Sequence, residues 1–284
     1  MMPSRQLTLT LLALTLLLAP DPLSAFSKRR ANAQAATPPY QNAGIKLSPN
    51  QAKTIGQKIW QNECGGTVEG LTSWNSGENF ASLGIGHFIW YHNQYRGPFD
   101  ESFPKLIAYM KQRGVKMPAW LANARTCPWT SRSQFLAAKN SPQMRELRTF
   151  LANTVPIQTD FIVQRLEQAL PKMLNEVSSP QEKNLVRGRF YAVAETTNGV
   201  YALIDYVNFK GEGVKKSERY KGQGWGLLQV LENMNGAPRG QAAAKEFSES
   251  AKRTLQQRVR NAPKKESQWL PGWMNRCNTY AQPL

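Results

Sequence analysis

Histidine and cysteine are scarce in this chain of 284 residues, which has the histidines His87 and His92 and the cysteines Cys64, Cys127 and Cys277. Their spacing fits none of the patterns that hold zinc, so the sequence predicts no metal site. Three cysteines allow one disulfide and one free thiol in an oxidising compartment, or three small buried hydrophobic residues. A cysteine nucleophile formed by Cys64 with His87 is a further alternative.

Acidic residues are also few, because 19 Asp and Glu stand against 36 Lys and Arg and leave a formal net charge of +17. Such a charge attracts polyanions, which are nucleic acid, anionic membrane or acidic cell-wall polymer. The glycines form neither a phosphate-binding loop nor a dinucleotide-binding motif. The sequence therefore implies no organic cofactor, and its basic character leaves the class of polyanion open.

Long apolar runs are absent except for a short one near the N-terminus. Arg5 precedes a stretch of Leu, Thr and Ala over 7–19, and the small residues Ser24 and Ala25 follow. This arrangement predicts a secretory signal peptide over 1–25, because the stretch is too short to be a stable membrane anchor. An exported basic protein meets cell-wall polymer or a membrane surface rather than nucleic acid. We therefore expect a periplasmic or secreted protein.

The remaining residues divide into a linker and one domain. Residues 26–46 are rich in Ala, Pro, Asn and Gln without hydrophobic periodicity, which predicts a flexible linker. Residues 47–284 are predicted to form the folded domain, since 41% of the chain is hydrophobic and a sizeable core can form.

The domain is predicted to begin with a helix, continue with strands and end in a series of helices. Ser48 and Pro49 have the residue types of a helix N-cap and first position, and Gly65 with Gly66 ends that helix. Residues 79–91 mix aromatic and β-branched residues with glycine, as strands do. Hydrophobic periodicity predicts further helices over about 101–113, 132–138, 142–153, 157–176, 180–196, 199–210, 223–234 and 240–260.

Glu63 ends the predicted first helix, and a loop with several glycines leads from it to the run Gly84-Ile85-Gly86-His87. This order resembles the catalytic segment of phage-type (endolysin-like) lysozymes. Residues 202–212 are similar to the buried central helix of that family, and Arg258 and Trp273 to its closing helices. The resemblance implies a lysozyme-like α+β fold, in which an N-terminal helix and a small β-hairpin lobe pack on a helical bundle. It also implies cleavage of the glycan strands of peptidoglycan.

Glu63 is the candidate general acid for that cleavage. A helix C-terminus disfavours the ionised form of a carboxyl group, and the apolar neighbours Ile59 and Trp60 would exclude water from it. Both effects favour the protonated carboxyl that a glycosidase needs for its leaving oxygen.

The second catalytic carboxylate is less well defined, since the family has an Asp in this loop and the present loop has none. Asn75 stands near the expected place and cannot act as a base. Glu78 is the nearest carboxylate, Glu69 is a poorer choice, and Ser82 matches a hydroxyl position of the family. The departure leaves two mechanisms open: hydrolysis with Glu78 activating water, and lytic transglycosylation, for which Glu63 alone suffices.

Other residues of the motif are predicted to be structural. In the family the residue that matches His87 ties the hairpin to the helical lobe, which implies the same role here. Gly84 and Gly86 permit tight strand geometry and close packing. Glu195 lies in an otherwise apolar run, and we expect a buried, paired structural carboxylate there, with an unrecognised site residue as the alternative.

Sugar recognition is predicted for aromatic and amide side chains, because aromatic rings offer flat apolar faces with polar edges. The candidate substrate-binding residues are Trp74, Asn75, Asn208, Gln223 and Trp225.

Together these features predict a monomeric, exported peptidoglycan glycosidase, a muramidase, that uses no metal or organic cofactor and binds no nucleic acid. A lytic transglycosylase is one alternative. A catalytically silent wall-binding protein that keeps the cleft is another. A chitosanase-like enzyme is disfavoured, because a charge of +17 repels a polycationic substrate.

Overall fold

The computed structural model describes residues 44–93 and 95–284, which lie in one compact unit, Thr37–Leu284. The predicted signal peptide over 1–25 lies outside the described residues, as does the predicted linker up to residue 43. The described part is mostly helical with a small antiparallel sheet, so the α+β class is confirmed.

Helix α1, Pro49–Cys64, begins and ends where the sequence predicts. The Ser48 side chain accepts a hydrogen bond from Gln51 N, and the Gln51 side chain accepts one from Ser48 N, which is a capping box. Gly65 has a φ of +63° and ends the helix in the left-handed conformation. The buried face includes Ile55 and Ile59 and fixes which way the last turn points.

Three short strands follow α1 and form an antiparallel sheet in the order β1 (Thr72–Ser73), β2 (Ala81–Leu83), β3 (Phe88–Trp90). Thr72 pairs with Leu83, and Leu83 also pairs with Phe88. The predicted strand character of residues 79–91 is confirmed, and residues 84–87 form the turn between β2 and β3.

Eight α-helices of the described chain come between the sheet and the last two helices. They are α2 (Phe103–Gln112), α3 (Ala119–Asn123), α4 (Arg132–Ala137), α5 (Pro142–Asn153), α6 (Val155–Asn175), α7 (Pro180–Val193), α8 (Thr197–Lys210) and α9 (Leu227–Glu232). A hairpin of β4 (Arg219–Tyr220) and β5 (Gln223–Gly224) lies between α8 and α9. Helices α10 (Gly240–Asn261) and α11 (Leu270–Thr279) complete the described chain.

Helix α8 is the centre of the helical part, with every residue from Asn198 to Tyr206 buried. Helix α1 packs against α6 and α8, and α10 packs against α8 and α11. The helix predicted to be buried over 202–212 is therefore buried only as far as Tyr206, since Asn208 is exposed and Phe209 is half-buried. This packing brings the C-terminal ends of α1 and α8 towards α11.

The cysteines are small buried residues rather than a disulfide. Cys64, Cys127 and Cys277 are all buried and unpaired in the described part of the chain. Burial raises the pKa of each thiol to about 12. Within residues 44–93 and 95–284, no helix has the length and apolar character needed to cross a bilayer.

Candidate functional site

Glu63 lies in the last turn of α1, where its side chain is 26% exposed. Its Oε1 is 3.3 Å from Arg276 Nη2 on α11, and its Oε2 is 3.9 Å from His87 Nδ1 in the β2–β3 turn. The structure therefore brings the predicted acid together with the predicted structural histidine. It adds an arginine that the sequence analysis did not identify as part of a site.

Arg276 is held mainly by Asp205, a residue of α8 that is 3% exposed. Arg276 Nε is 2.7 Å from Asp205 Oδ2, and Nη2 is 2.8 Å from Oδ1, so the pair is bidentate. The Tyr280 hydroxyl donates a third hydrogen bond to Asp205 Oδ2 at 2.7 Å. Burial alone would lower the pKa of Arg276, but the hydrogen bonds to Asp205 outweigh it and hold the pKa above its usual value.

Arg276 thus contacts two carboxylates, Asp205 and Glu63. The guanidinium is closer to Asp205 than to Glu63, by 2.7–2.8 Å against 3.3 Å. Since the charge of Arg276 is already matched by Asp205, Glu63 faces the positive end of an ion pair rather than a full isolated cation. A carboxyl group in this position is oriented by the guanidinium and remains partly exposed.

His87 joins the hairpin turn to the end of α1. It has a φ of +46°, and its Nε2 lies 3.6 Å from Cys64 Sγ. Burial, and then the negative charge of Glu63, raise the pKa of the Cys64 thiol to about 12. A thiol with that pKa is protonated at neutral pH, which disfavours the alternative of a Cys64 nucleophile.

The glycines of the turn allow the hairpin to approach α6 closely. Gly84 has a φ of +71°, and a Cβ at this position would lie 2.3 Å from Gln158 Oε1. A Cβ on Gly86 would lie 2.8 Å from Phe88 Cζ. Gln158 Oε1 accepts a hydrogen bond from Ile85 N at 3.0 Å. Gly84 and Gly86 are therefore packing residues, as the sequence analysis expects.

Glu78 lies in the loop before β2, whereas His87 lies in the turn after β2, so the two are on opposite sides of that strand in sequence. Within residues 44–93 and 95–284, no hydrogen bond or ion pair joins Glu78 or Ser82 to Glu63. Glu78 Oε2 is buried without a hydrogen-bond partner. Ser82 is buried in the middle of β2. The assignment of Glu78 and Ser82 to catalysis thus stays a prediction.

Two of the predicted sugar-binding residues are buried, and the other three are exposed. Trp74 is 4% exposed, packs against Phe135 and donates from Nε1 to Glu78 O, so its ring offers no free face for a sugar. Trp225 is also buried, with the Arg258 guanidinium 4.1 Å from its ring centroid. The exposed members of the set are Asn75, Asn208 and Gln223.

Glu195 is paired, as expected, but it is exposed rather than buried. Its Oε1 accepts a hydrogen bond from Arg239 Nε at 2.9 Å, and its Oε2 accepts one from Gly240 N at 2.8 Å at the start of α10. Glu195 thereby binds the N-terminus of that helix and takes no part in the Glu63 site.

A second group of cationic and aromatic residues lies at the end of α8, and we call it the cation–aromatic cluster. Its members are Phe209, Lys210, Tyr220, Trp225, Arg258, Glu266 and Trp273. The sequence analysis named Trp225 as a sugar ligand and Arg258 and Trp273 as features of the resemblance. It missed Lys210 and Glu266, for which the sequence offers no periodic or motif signal.

The cluster adjoins the Glu63 site through Phe209. The ring centroid of Phe209 lies 4.0 Å from Lys210 Nζ and 4.6 Å from the Arg276 guanidinium carbon. Arg276 in turn contacts Glu63. One partly buried aromatic ring thus separates Lys210 from the arginine that holds the candidate acid.

Comparison of the chain with models of protein families, with characterised proteins and with solved structures finds no match. In the described part of the chain, no three His, Cys, Asp or Glu side chains gather as a metal-binding group. The site presents one partly exposed carboxyl group, a histidine and an arginine at the junction of a helix end, a hairpin turn and a second helix.

Proposed function

We propose that this protein cleaves the glycan strands of peptidoglycan, with a lysozyme-like arrangement and with Glu63 as the general acid. The observation that supports the proposal is the position of Glu63 in the last turn of α1, between His87 and Arg276. A glycosidase needs a carboxyl group that is both oriented and accessible to a glycosidic oxygen. Glu63 meets both conditions, because Arg276 orients it and part of its surface remains exposed.

In this proposal Glu63 donates its proton to the oxygen of the scissile glycosidic bond while the bond to the anomeric carbon breaks. The Asp205–Arg276 pair keeps the Glu63 carboxyl at a fixed place and stabilises the carboxylate that the donation leaves behind. His87 fixes the turn that faces the acid.

Lytic transglycosylation is the second candidate, because it needs one carboxyl group rather than two. An inverting hydrolase has its two carboxyl groups roughly 6.5–9.5 Å apart, with the attacking water between them. Glu63 is the one carboxyl group of the proposed pair that Arg276 and His87 contact, and Asp205 is already bound by Arg276 and Tyr280. In a single-carboxyl mechanism, a hydroxyl of the sugar itself attacks the anomeric carbon and gives its proton to the Glu63 carboxylate, so no second carboxylate is needed.

Mass spectrometry of the fragments released from purified sacculi distinguishes the candidates. Fragments with a reducing-end muramic acid identify hydrolysis, and fragments with a 1,6-anhydro end identify transglycosylation. Sacculi that bind the protein but release nothing identify the silent wall-binding alternative and contradict the proposal. Glu78→Gln also distinguishes hydrolysis from transglycosylation. A hydrolase that uses Glu78 should lose most of its activity, whereas a transglycosylase should keep it.

Substitution of Glu63 is the first prediction. We expect Glu63→Gln to reduce fragment release by about 10²–10⁴-fold, the usual contribution of general acid catalysis, because the amide cannot donate the proton. The change keeps the shape of the side chain, so the midpoint of urea unfolding should shift little.

Glu69→Gln is the matched control, because Glu69 is an exposed glutamate only six positions along the chain and makes no contact with Arg276. It should release fragments at the rate of the unsubstituted protein. A Glu63→Gln variant that retains more than roughly a tenth of that rate would contradict the assignment of Glu63 as the acid.

A further inference from the structure

Lys210 ends α8, and its ammonium group is held between two aromatic rings. Nζ lies 4.0 Å from the centroid of Phe209 and 3.6 Å from the centroid of Trp273. Cation–π contacts at these distances fix the position of a lysine side chain that would otherwise be flexible. The side chain is partly buried rather than extended into solvent. The structure therefore presents an ammonium group at a defined place in the cation–aromatic cluster.

Each of the other two cations near Lys210 has its own carboxylate. Arg258 binds Glu266 with Nε–Oε2 and Nη2–Oε1 distances of 2.7 and 3.0 Å, and Arg276 binds Asp205. Tyr220 donates a further hydrogen bond to Glu266. Within residues 44–93 and 95–284, no carboxylate forms an ion pair with Lys210. Lys210 is thus the cation of the cluster whose charge is not matched.

The absence of a paired carboxylate affects the pKa of Lys210. Burial, followed by the repulsion from Arg258, lowers the pKa of Lys210 to about 7, and Arg276 adds to the repulsion. The Glu266 carboxylate, which is bound by Arg258, acts in the opposite direction without offsetting these effects. Burial of a charge without a partner is unfavourable, and an anion placed against Nζ relieves it. The free protein is therefore arranged to gain from an anionic ligand at this place.

From this geometry we infer that Lys210 binds the lactyl carboxylate of a muramic acid residue that carries no peptide, next to the site of cleavage. The inference rests on the proposed function for the nature of the ligand, and it names glycan strands with free muramic acid carboxylates as the preferred substrate. The ammonium supplies a charge-assisted hydrogen bond to the carboxylate. The partly exposed ring of Trp273 offers a face for the sugar that carries it. Lys210 then acts as a specificity residue, because a neutral glycan leaves its charge unmatched.

The ionisation of Lys210 makes this binding dependent on pH. The charged groups that face Lys210 are Arg258 on α10, Glu266 in the segment after it, and Arg276 with Cys277 on α11. Neither arginine loses its proton in the neutral range, and burial raises the pKa of Cys277 to about 12. Affinity for a carboxylate should therefore be greatest below pH 7 and fall as Lys210 loses its proton.

Titration calorimetry on the full chain tests the inference, in a Glu63→Gln background so that no ligand is cleaved. The acidic probe is the disaccharide of N-acetylglucosamine and N-acetylmuramic acid, and the neutral probe is the disaccharide of N-acetylglucosamine. We expect the acidic probe to bind about tenfold or more tightly at pH 6 than at pH 9, the size of one charge-assisted hydrogen bond. The neutral probe should show no such change.

Two substitutions of Lys210 assign the effect to this residue. Lys210→Met should reduce the affinity for the acidic probe at pH 6 to the level of the parent at pH 9. Lys210→Arg keeps its charge at both pH values, so its affinity for the acidic probe should no longer depend on pH. The arginine variant also tests the inference if the methionine variant fails to fold. Both variants leave His87 unchanged, so a change in the pH dependence is assigned to Lys210.

The inference is overturned if the acidic and neutral probes bind alike, or if Lys210→Arg keeps the pH dependence of the parent. Failure of the proposed function is a different result, since it is the absence of fragment release from sacculi by the unsubstituted protein. Probe binding that depends on Lys210 without fragment release would contradict the function and support the inference. Fragment release with equal binding of both probes would support the function and contradict the inference.

Discussion

At the scale of single residues, Asp205 is the group on which the site depends. It is a carboxylate buried inside the central helix α8, and such a charge is unfavourable unless it is paired and hydrogen-bonded. Arg276 and Tyr280, both from the C-terminal part of the chain, supply those partners. The need to satisfy Asp205 therefore fixes the guanidinium that Glu63 contacts. The orientation of Glu63 therefore depends on the ion pair that Arg276 makes with the buried Asp205.

Removal of the Asp205 charge should be costly. We expect Asp205→Asn to lower the free energy of unfolding by about 3 kcal/mol, because Arg276 is left partly buried without its main partner. Fragment release from sacculi should fall as well, since the guanidinium is free to move towards Glu63 and favour its ionised form. Urea unfolding followed by circular dichroism measures the first effect.

Asp100→Asn is the control for that measurement. Asp100 pairs with Lys105, and both side chains are more than half exposed. Exposed pairs contribute about 0–1 kcal/mol, so this variant should unfold close to the unsubstituted protein. Equal losses in the two variants would show that Asp205 has no special role in stability.

The sequence predicts Glu63 and His87 as neighbours in the site, but it does not predict Arg276. Glu63 and His87 are predictable because helix caps and turn glycines are local signals that place them at a helix end and in a turn. Asp205 gives a partial signal as a charge within an apolar run. Arg276 gives none, since its contact with Glu63 joins residues 213 positions apart and depends on how the helices pack.

At the scale of elements, the β2–β3 turn is positioned by α6. Gln158 is fully buried on α6, accepts a hydrogen bond from Ile85 N and donates to Leu151 O at 2.7 Å. Its carboxamide occupies the space that a side chain on Gly84 would need. The turn therefore meets α6 through a buried hydrogen bond, and this contact sets where His87 stands relative to α1.

Substitution of Gly84 tests that contact. Alanine at a left-handed position costs about 1–2 kcal/mol, and the overlap with Gln158 adds roughly 1–3 kcal/mol. We expect Gly84→Ala to lower the free energy of unfolding by about 3 kcal/mol as the sum of these terms. Urea unfolding measures the loss.

Gly77→Ala separates the two terms. Gly77 has a φ of +83°, but a Cβ there would meet nothing within 4 Å. This variant should lose only the conformational part, about 1–2 kcal/mol. If Gly84→Ala is no less stable than Gly77→Ala, the close packing of the turn on α6 is not important for stability.

The helices were more predictable than the small strands. Capped helices with a clear apolar face, such as α1 and α5, have the predicted bounds or nearly so. The range 223–234 was predicted as one helix, and it contains β5 followed by α9. Gly224 and Gly226 lower helix propensity there, and a two-residue strand is too short to show alternation. Helix α3 has five residues and offers no periodicity to read.

At the scale of the whole molecule, the excess of basic residues is the main feature. Seventeen positive charges are not neutralised within the chain. Exposed charges of one sign raise the local concentration of a polyanion and speed encounter with it. For the proposed function, that polyanion is the cell wall. The predictions of export and of a monomer concern properties that the fold does not test, and they stay predictions.

Binding to sacculi should therefore weaken as salt increases. Raising the ionic strength from 0.1 to 1 M shortens the Debye length from about 10 to about 3 Å and screens exposed charges. We expect the bound fraction in a co-sedimentation assay to fall several-fold over this range. Glu63→Gln should show the same salt dependence with no fragment release. Binding that does not change with salt would show that sugar contacts, rather than charge, supply the affinity.

The separation between Glu63 and Arg276 has a consequence for timing during synthesis. The two residues are 213 positions apart, and ribosomes add about 5–20 residues per second. Arg276 is therefore synthesised roughly 10–40 s after Glu63. A nascent chain with a folded hairpin and α1 still has no assembled site. Under the proposed function, incomplete chains would be inactive, and proteolytic removal of α11 would abolish activity while leaving Glu63 in place.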